Sequence, residues 1–242
     1  HIISYFPLFL FEIIMLFAPI GVFALMADTI TSIAGDDLGQ IMELITALGY
    51  YCLVVLAGLI VHMFLTYGSM IKFFTPKTWG EVARALAPAQ LVAFSTSSSG
   101  ATLPVTMERV EKELGVSEEV SSFVLPLGAT INMDGTGLYQ AVAAVFIAQT
   151  IGMDLDLTAQ LTIVFTAVLA SIGTAAVPGA GIIMLVIILE SVGVPSAGIA
   201  LILGVDRILD MCRTVTNVTG DATVATVVAA SEGEFKTAPV PA

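Results

Sequence analysis

Three carboxylates, an arginine, an amide and a hydroxyl fall at helical spacing near the end of the chain, in the stretch Val205 to Asp221, VDRILDMCRTVTNVTGD. At about 100° per residue, Asp206, Asp210, Arg213, Thr214, Asn217 and Asp221 share one arc of a helix, with Ile208, Leu209, Val215 and Val218 on the other side. The stripe sits in an apolar run from about residue 199 to 230, long enough to cross a bilayer. Ionised groups cost several kcal/mol at that depth, so the stripe has to face an interior or a cavity. Two readings fit. Asp210 and Arg213, at i and i+3, can form a structural ion pair holding a bundle together. Alternatively, a zwitterionic solute lies along the face, its ammonium on Asp210 and a carboxylate on the bidentate fork of Arg213.

A second constellation interrupts an apolar run. Asn132-Met133-Asp134-Gly135-Thr136 places poor helix formers in the middle of residues 123–151. Local unwinding there frees backbone carbonyls, and these, with the oxygens of Asn132 and Asp134, suit a hard cation. A kink satisfied by water is the competing reading.

The elements that must position these groups are membrane elements. Hydrophobic residues make up 57% of the 242-residue chain and charged residues 12%, which excludes an ordinary soluble domain. A net charge of −12 with only 8 Lys and Arg leaves no basic patch for nucleic acid. Cys52 and Cys212 lie in apolar runs without metal spacing and read as packing residues. The chain starts at His1 with no charged segment ahead of its first apolar run, which predicts no signal peptide and a missing N-terminal part.

In chain order, residues 2–26 predict a spanning helix kinked at Pro7 and Pro19, with Glu12 at an interface or end. A second span follows over about 40–71; its lone interior His62 reads as a packed, hydrogen-bonded side chain. Lys72, Lys77 and Arg84 place the next segment in the cytoplasm. Residues 79–114 predict two short arms around Ser95-Thr96-Ser97-Ser98-Ser99-Gly100, too short to span singly and with basic residues at both ends, hence a re-entrant hairpin. The broken helix occupies 120–152. Asp154 and Asp156 mark an external turn, and residues 157–193 repeat the hairpin around Gly173-Thr174-Ala175-Ala176-Val177-Pro178-Gly179-Ala180-Gly181. The striped helix, 199–230, returns to the cytoplasm before a tail at 231–242. Hairpin plus broken helix, then hairpin plus striped helix, entering from opposite sides, is an inverted repeat that puts substrate and ions near the midplane. The predicted class is therefore an all-α integral membrane protein.

Four blocks, SSSGATLPVT, LPLGATINMDGTGLYQ, LASIGTAAVPGAG and DRILDMCRTVTNVTGD, resemble in order and spacing the dicarboxylate/amino acid:cation symporter family, which includes the glutamate transporters. The resemblance covers essentially the whole chain. It implies the C-terminal part of a subunit of a homotrimer in the cell (inner) membrane, with residues 1–35 a scaffold helix and 36–242 a mobile transport domain.

By that resemblance Arg213 holds the substrate side-chain carboxylate and Asp210 its amine, with Thr136, Thr214 and Asn217 adding polar contacts. Ser98 and Ser99, with the backbone of Val177, Pro178 and Gly181, close over the main-chain carboxylate. Asn132, Asp134 and Asp221, with carbonyls of Gly128 and Asn217, belong to cation sites. Hairpin two is the external gate. Relatives that lack an acid at the position of Asp210 carry C4-dicarboxylates, and relatives that lack the arginine carry neutral amino acids. Having both implies L-aspartate or L-glutamate moved with sodium by an elevator motion, with no further cofactor; a proton-coupled C4-dicarboxylate symporter is the alternative. The archaeal arginine at the tip of hairpin one and the animal arginine at the position of Met211 are both absent, and Arg207 is the nearest other cation in sequence.

Two rivals follow from the residues alone. One is an intramembrane hydrolase using a serine from Ser97 to Ser99 or an aspartate pair such as Asp134 and Asp221; a serine needs a base, and neither histidine, His1 or His62, has a motif tying it to the triplet. An anion channel along the small-residue tips is compatible with transport.

Overall fold

The computed structural model describes residues 19–28, 30, 31 and 37–235, and within them the chain is helical, with a single isolated β-bridge, Val116 to Phe235. The expected first span lies outside the described residues over 2–18, Pro7 and Glu12 included, as does the tail from 236. What is described of the first span is α1, Pro19–Asp28.

Asp37 caps α2 (Leu38–Val61) by accepting the Gly39 amide. This helix runs without interruption through a π-helical turn, His62–Tyr67, into α3 (Gly68–Phe74). Together they form a 37-residue rod, the one described helix long and apolar enough to cross a membrane. It extends past both predicted ends. Its outward side is apolar, with Leu53, Val54, Ile60, Val61, Phe64 and Leu65 all exposed.

Hairpin one is α4 (Trp79–Thr96) and α5 (Ser99–Lys112). The first arm starts at the predicted residue 79 and runs 18 residues to Thr96, opened by a reciprocal cap: Thr78 Oγ1 accepts the Glu81 amide while Glu81 accepts the Thr78 amide. The broken helix is α6 (Glu118–Ile131) and α7 (Asp134–Thr150). The break is narrower than the five-residue motif implies. Only Asn132 and Met133 leave the helical region, and Asp134 to Thr136 form the first turn of α7.

Hairpin two is α8 (Leu157–Ile172) and α9 (Ala180–Ser191), joined by a non-helical tip over residues 173–179. A 3₁₀ segment, Ser196–Leu201, then leads into α10 (Leu203–Glu232), so the striped α-helix starts a turn later than expected.

The core is organised around α10, which packs against α2, α4, α5, α6 and α7. Leu209 and Val218, expected on the side away from the stripe, are buried too, so the helix is enclosed and not merely amphipathic. Close packing requires small residues on it. At Gly220 a Cβ would run into the Tyr67 hydroxyl. Cys52 and Cys212 are half-buried and pack against the main core, as their settings in the sequence imply.

Candidate functional site

Both constellations come together around the middle of α10. Arg213 is 1% exposed and held on three sides. One guanidinium nitrogen donates to Asp206 Oδ1 and the other to Asp210 Oδ1, each at 2.8 Å, and the Tyr139 ring lies 3.6 Å beneath its Cζ. A buried charge is tolerable only when so paired. Thus Asp210 and Arg213 are bonded to each other, as the ion-pair reading of that i, i+3 spacing has it, with Asp206 as a further partner.

Above this ion triad is a small cavity of about 10 Å³, room for about one water. Its floor is Asp210, Thr214 and Asn217 of α10 with Thr136 of α7; its roof is the two hairpin tips, through Ser97 and Ser99 on one side and Thr174 to Val177 on the other. Gly181 completes the wall, and a Cβ there would sit 3.1 Å from the Thr136 methyl. The roof is closed. Ser98 Oγ donates to the Ala176 carbonyl at 2.7 Å and the Gly100 amide donates to the same oxygen at 3.2 Å. Ser98 therefore joins the tips and caps α5, and it does not line the cavity. Pro178 is half-buried and off the lining, while Val177 is exposed on its outer side. Arg213 also stands behind the lining and not in it.

Asn217 ties the floor to the helix break. Its Oδ1 accepts the Gly135 amide at 2.8 Å and its Nδ2 donates to Thr136 Oγ1 at 3.1 Å. Thr214 spends its proton on the Asp210 carbonyl.

The residues expected to hold cations fall into two neighbouring groups. In one, Asp221 is 3% exposed and accepts from Asn132 Nδ2 at 3.0 Å; it faces Gly128, where a Cβ would lie only 2.6 Å from Asp221 Oδ1. A glycine is required there by the carboxylate's approach. In the other, Asp134 Oδ2 accepts from the Tyr67 hydroxyl at 3.0 Å and is paired with His62 Nε2 at 3.1 Å. The π-helical turn makes that grip possible, because i to i+5 hydrogen bonding brings His62 and Tyr67 onto one face, their rings 4.7 Å apart. Asp134 and Asp221 do not share a bond, and among the described residues no three His, Cys, Asp or Glu side chains gather into a metal cluster.

Sequence reasoning placed Asp206 in the stripe without its pairing to Arg213, and it missed Tyr139, Tyr67 and Gln140, which donates to the Gly181 carbonyl at 3.0 Å. Asp206 was readable as a partner, lying seven residues before Arg213 and so two turns away on the same face. Tyr67 was not, since an undistorted helix would turn it away from His62.

Comparison with known proteins decides the family. The family model described as the sodium:dicarboxylate symporter family matches residues 8–231. This chain belongs to that family. Among its relatives are excitatory amino acid transporter 3 of Mus musculus, 45% identical over 211 residues, and excitatory amino acid transporter 1 of the same species, 43% identical over 219. The excitatory amino acid transporter of Caenorhabditis elegans is 43% identical over 215. These alignments take in 87%, 90% and 89% of this chain, but only 39%, 39% and 42% of the relatives. The symporter-family chain thus spans about two fifths of the length of the proteins it matches.

Proposed function

We propose that this chain forms the substrate-carrying part of a secondary active symporter for acidic amino acids, L-aspartate or L-glutamate, driven by sodium across the cell membrane. The observation that carries the reading is convergence: two hairpin tips, the helix break and the buried stripe of α10 meet around one small cavity whose polar lining includes Asp210, Thr214, Asn217 and Thr136. The names of the relatives, excitatory amino acid transporters, favour an amino acid over a simple dicarboxylate.

Residues 1–35 serve as scaffold and 36–242 as the moving domain of a homotrimer. The hairpins are re-entrant, and the exposed apolar faces of α2, α8 and α9 meet lipid or scaffold. Substrate enters by parting the tips and engages the triad from above. Its ammonium takes Asp210, and Arg213, kept in place by Asp206 and Tyr139, turns one edge of its fork to the side-chain carboxylate. The Ser99 side and the backbone of Val177 to Gly181 receive the other carboxylate.

Sodium is cargo here. Asp221, Asn132 and the Gly128 and Asn217 carbonyls supply the all-oxygen donors a hard cation takes, and Asp134 supplies a second carboxylate beside the break. Asn132 now offers its Nδ2 to Asp221, so a cation there requires its amide to present the oxygen instead. That change, acting on the residue next to Met133 in the cavity wall, links ion and substrate binding, and the linkage is reciprocal. Carriage between the two sides is an elevator movement of the closed domain.

The test is uptake of radiolabelled L-aspartate by proteoliposomes bearing the full-length protein, under an inward sodium gradient against a proton gradient alone. Uptake with sodium only is the expected result. Uptake with protons alone would remove sodium from the proposal and recast Asp134 and Asp221 as proton carriers, and no aspartate uptake under either gradient would reject an acidic amino acid as substrate.

A further inference from the structure

Cations are handled differently at the two ends of hairpin one. Where it leads into α6, Arg109 pairs with Glu113 and Lys112 with Glu108. On the elbow that joins it to the long rod, Lys72, Lys77 and Arg84 form no ion pair among the described residues. Lys72 and Arg84 are exposed and Lys77 is half-buried. The one acid between Lys72 and Arg84 is Glu81, and its carboxylate is spent on the cap of α4, where Oε2 accepts both the amide and the hydroxyl of Thr78 at 2.7 Å. Lys77 and Arg84 lie near enough for their charges to act on that carboxyl, yet neither pairs with it.

These cations are set among aromatic rings. Lys72 Nζ lies 5.6 Å from the centre of the Phe73 ring and Lys77 Nζ 5.5 Å from that of Phe235. Trp79 packs edge-on against Phe64 of the rod, ring centres 5.7 Å apart, while Phe73 and Phe74 are exposed. Rings of this kind beside lysine and arginine are the composition of a membrane-water interface. The rod fixes the depth. No Asp, Glu, Lys or Arg lies between Glu43 and Lys72, a stretch of about 40 Å of helix. A bilayer with its headgroups measures about 40–45 Å. With Glu43 at one face, Lys72 falls in the phosphate layer of the other.

We propose that this elbow is a binding surface for an anionic phospholipid, its phosphodiester held among Lys72, Lys77 and Arg84 and its acyl chains met by Phe73 and Phe74. Electrostatics gives the surface its preference. A lipid with a choline head offers the same phosphate but brings a second cation into a patch whose one carboxylate is already bonded, whereas a glycerol head adds no charge. The bound lipid tethers the start of hairpin one to its leaflet. The surface requires the rod to cross a membrane and is independent of which solute the protein carries.

The experiment uses the full-length protein in liposomes of phosphatidylcholine and phosphatidylglycerol, with brominated acyl chains on one lipid or the other to quench nearby tryptophan. Trp79 is the single tryptophan of this chain, and subtracting the quenching seen in Trp79→Phe isolates the elbow. Each cation near an anionic surface is worth about fivefold in binding, so the parent is expected to prefer phosphatidylglycerol at Trp79 by about tenfold or more. Replacing all three cations (Lys72→Gln, Lys77→Gln and Arg84→Gln) should bring the preference within about twofold of none. Lys112→Gln, which removes a cation already paired with Glu108, should leave it as in the parent. Equal quenching by the two lipids in the parent, or a preference that survives the triple replacement, would overturn the proposal. So would loss of the preference on adding glycerol phosphate at constant ionic strength, which would assign the cations to a soluble anion.

Discussion

The two hairpins occupy corresponding places in the chain and are built differently. Hairpin one turns in two residues, Ser97 and Ser98, with Ser97 in the left-handed region at φ 54 and the Ser98 hydroxyl capping α5. Its arms are stitched to each other by Arg109 Nε donating to the Ala85 carbonyl, and to α10 by Gln90 donating to Thr219. Hairpin two turns in seven residues, and its arms are outwardly apolar, with Leu161, Phe165, Leu169 and Ile183 well exposed. Polar stitching makes hairpin one part of the core. Hairpin two is held at its tip, by hydrogen bonds to Ser98 and to Asp210 of the candidate site.

The sharpest way to break this contrast is at Asp206. Asp206→Ala leaves Arg213 paired with Asp210 but strands one buried guanidinium nitrogen without its acceptor, a loss of about 3 kcal/mol for a charged donor. Denaturant unfolding in detergent should show a loss of that size. If stability is unchanged, the triad is not what seats Asp210 under hairpin two.

Ser98→Ala comes next. It removes an N-cap and a bond to the Ala176 carbonyl together, about 2 kcal/mol in all. Hydrogen exchange should quicken over residues 174–179 as well as at the start of α5, because one hydroxyl serves both hairpins.

Arg109→Met is the complementary cut, costing about 1 kcal/mol through the lost bond to Ala85. Exchange should rise within α4 and α5 and stay at the parent's rate over residues 174–179. Equal loosening of both hairpins would mean they form one cooperative unit, contrary to the contrast drawn above.

The smallest effect concerns the start of α4. Hydrogen bonds from Thr78 hold the exposed Glu81 carboxyl below the usual glutamate range. A group whose folded value is depressed stabilises the fold above its ordinary range and loses that contribution as pH falls through the folded value. The melting temperature should therefore be slightly higher for the parent than for Glu81→Gln at neutral pH, and the two should converge in acid.

Much of this architecture was legible because the physics that imposes it acts locally. An apolar chain that carries charges at i, i+4 and i+7 must bury them on one face, and α10 does so with Asp206, Asp210 and Arg213. Gly and Pro density at 173–181 and the serine run at 95–100 broke the arms where the structure breaks them, and Asn132 stopped α6.

Tertiary structure decided which of the charges meet. The spacing of Asp210 and Arg213 allowed either an ion pair or a ligand between them, and only the placement of Tyr139, Asp206 and the Gly179 amide around them shows the pair made. The grip of Tyr67 and His62 on Asp134 depends on a π-helical turn, a change of helix pitch with no residue pattern to announce it. Likewise, the enclosure of Leu209 and Val218 follows from how many helices crowd α10, a long-range property that periodicity along one segment does not encode.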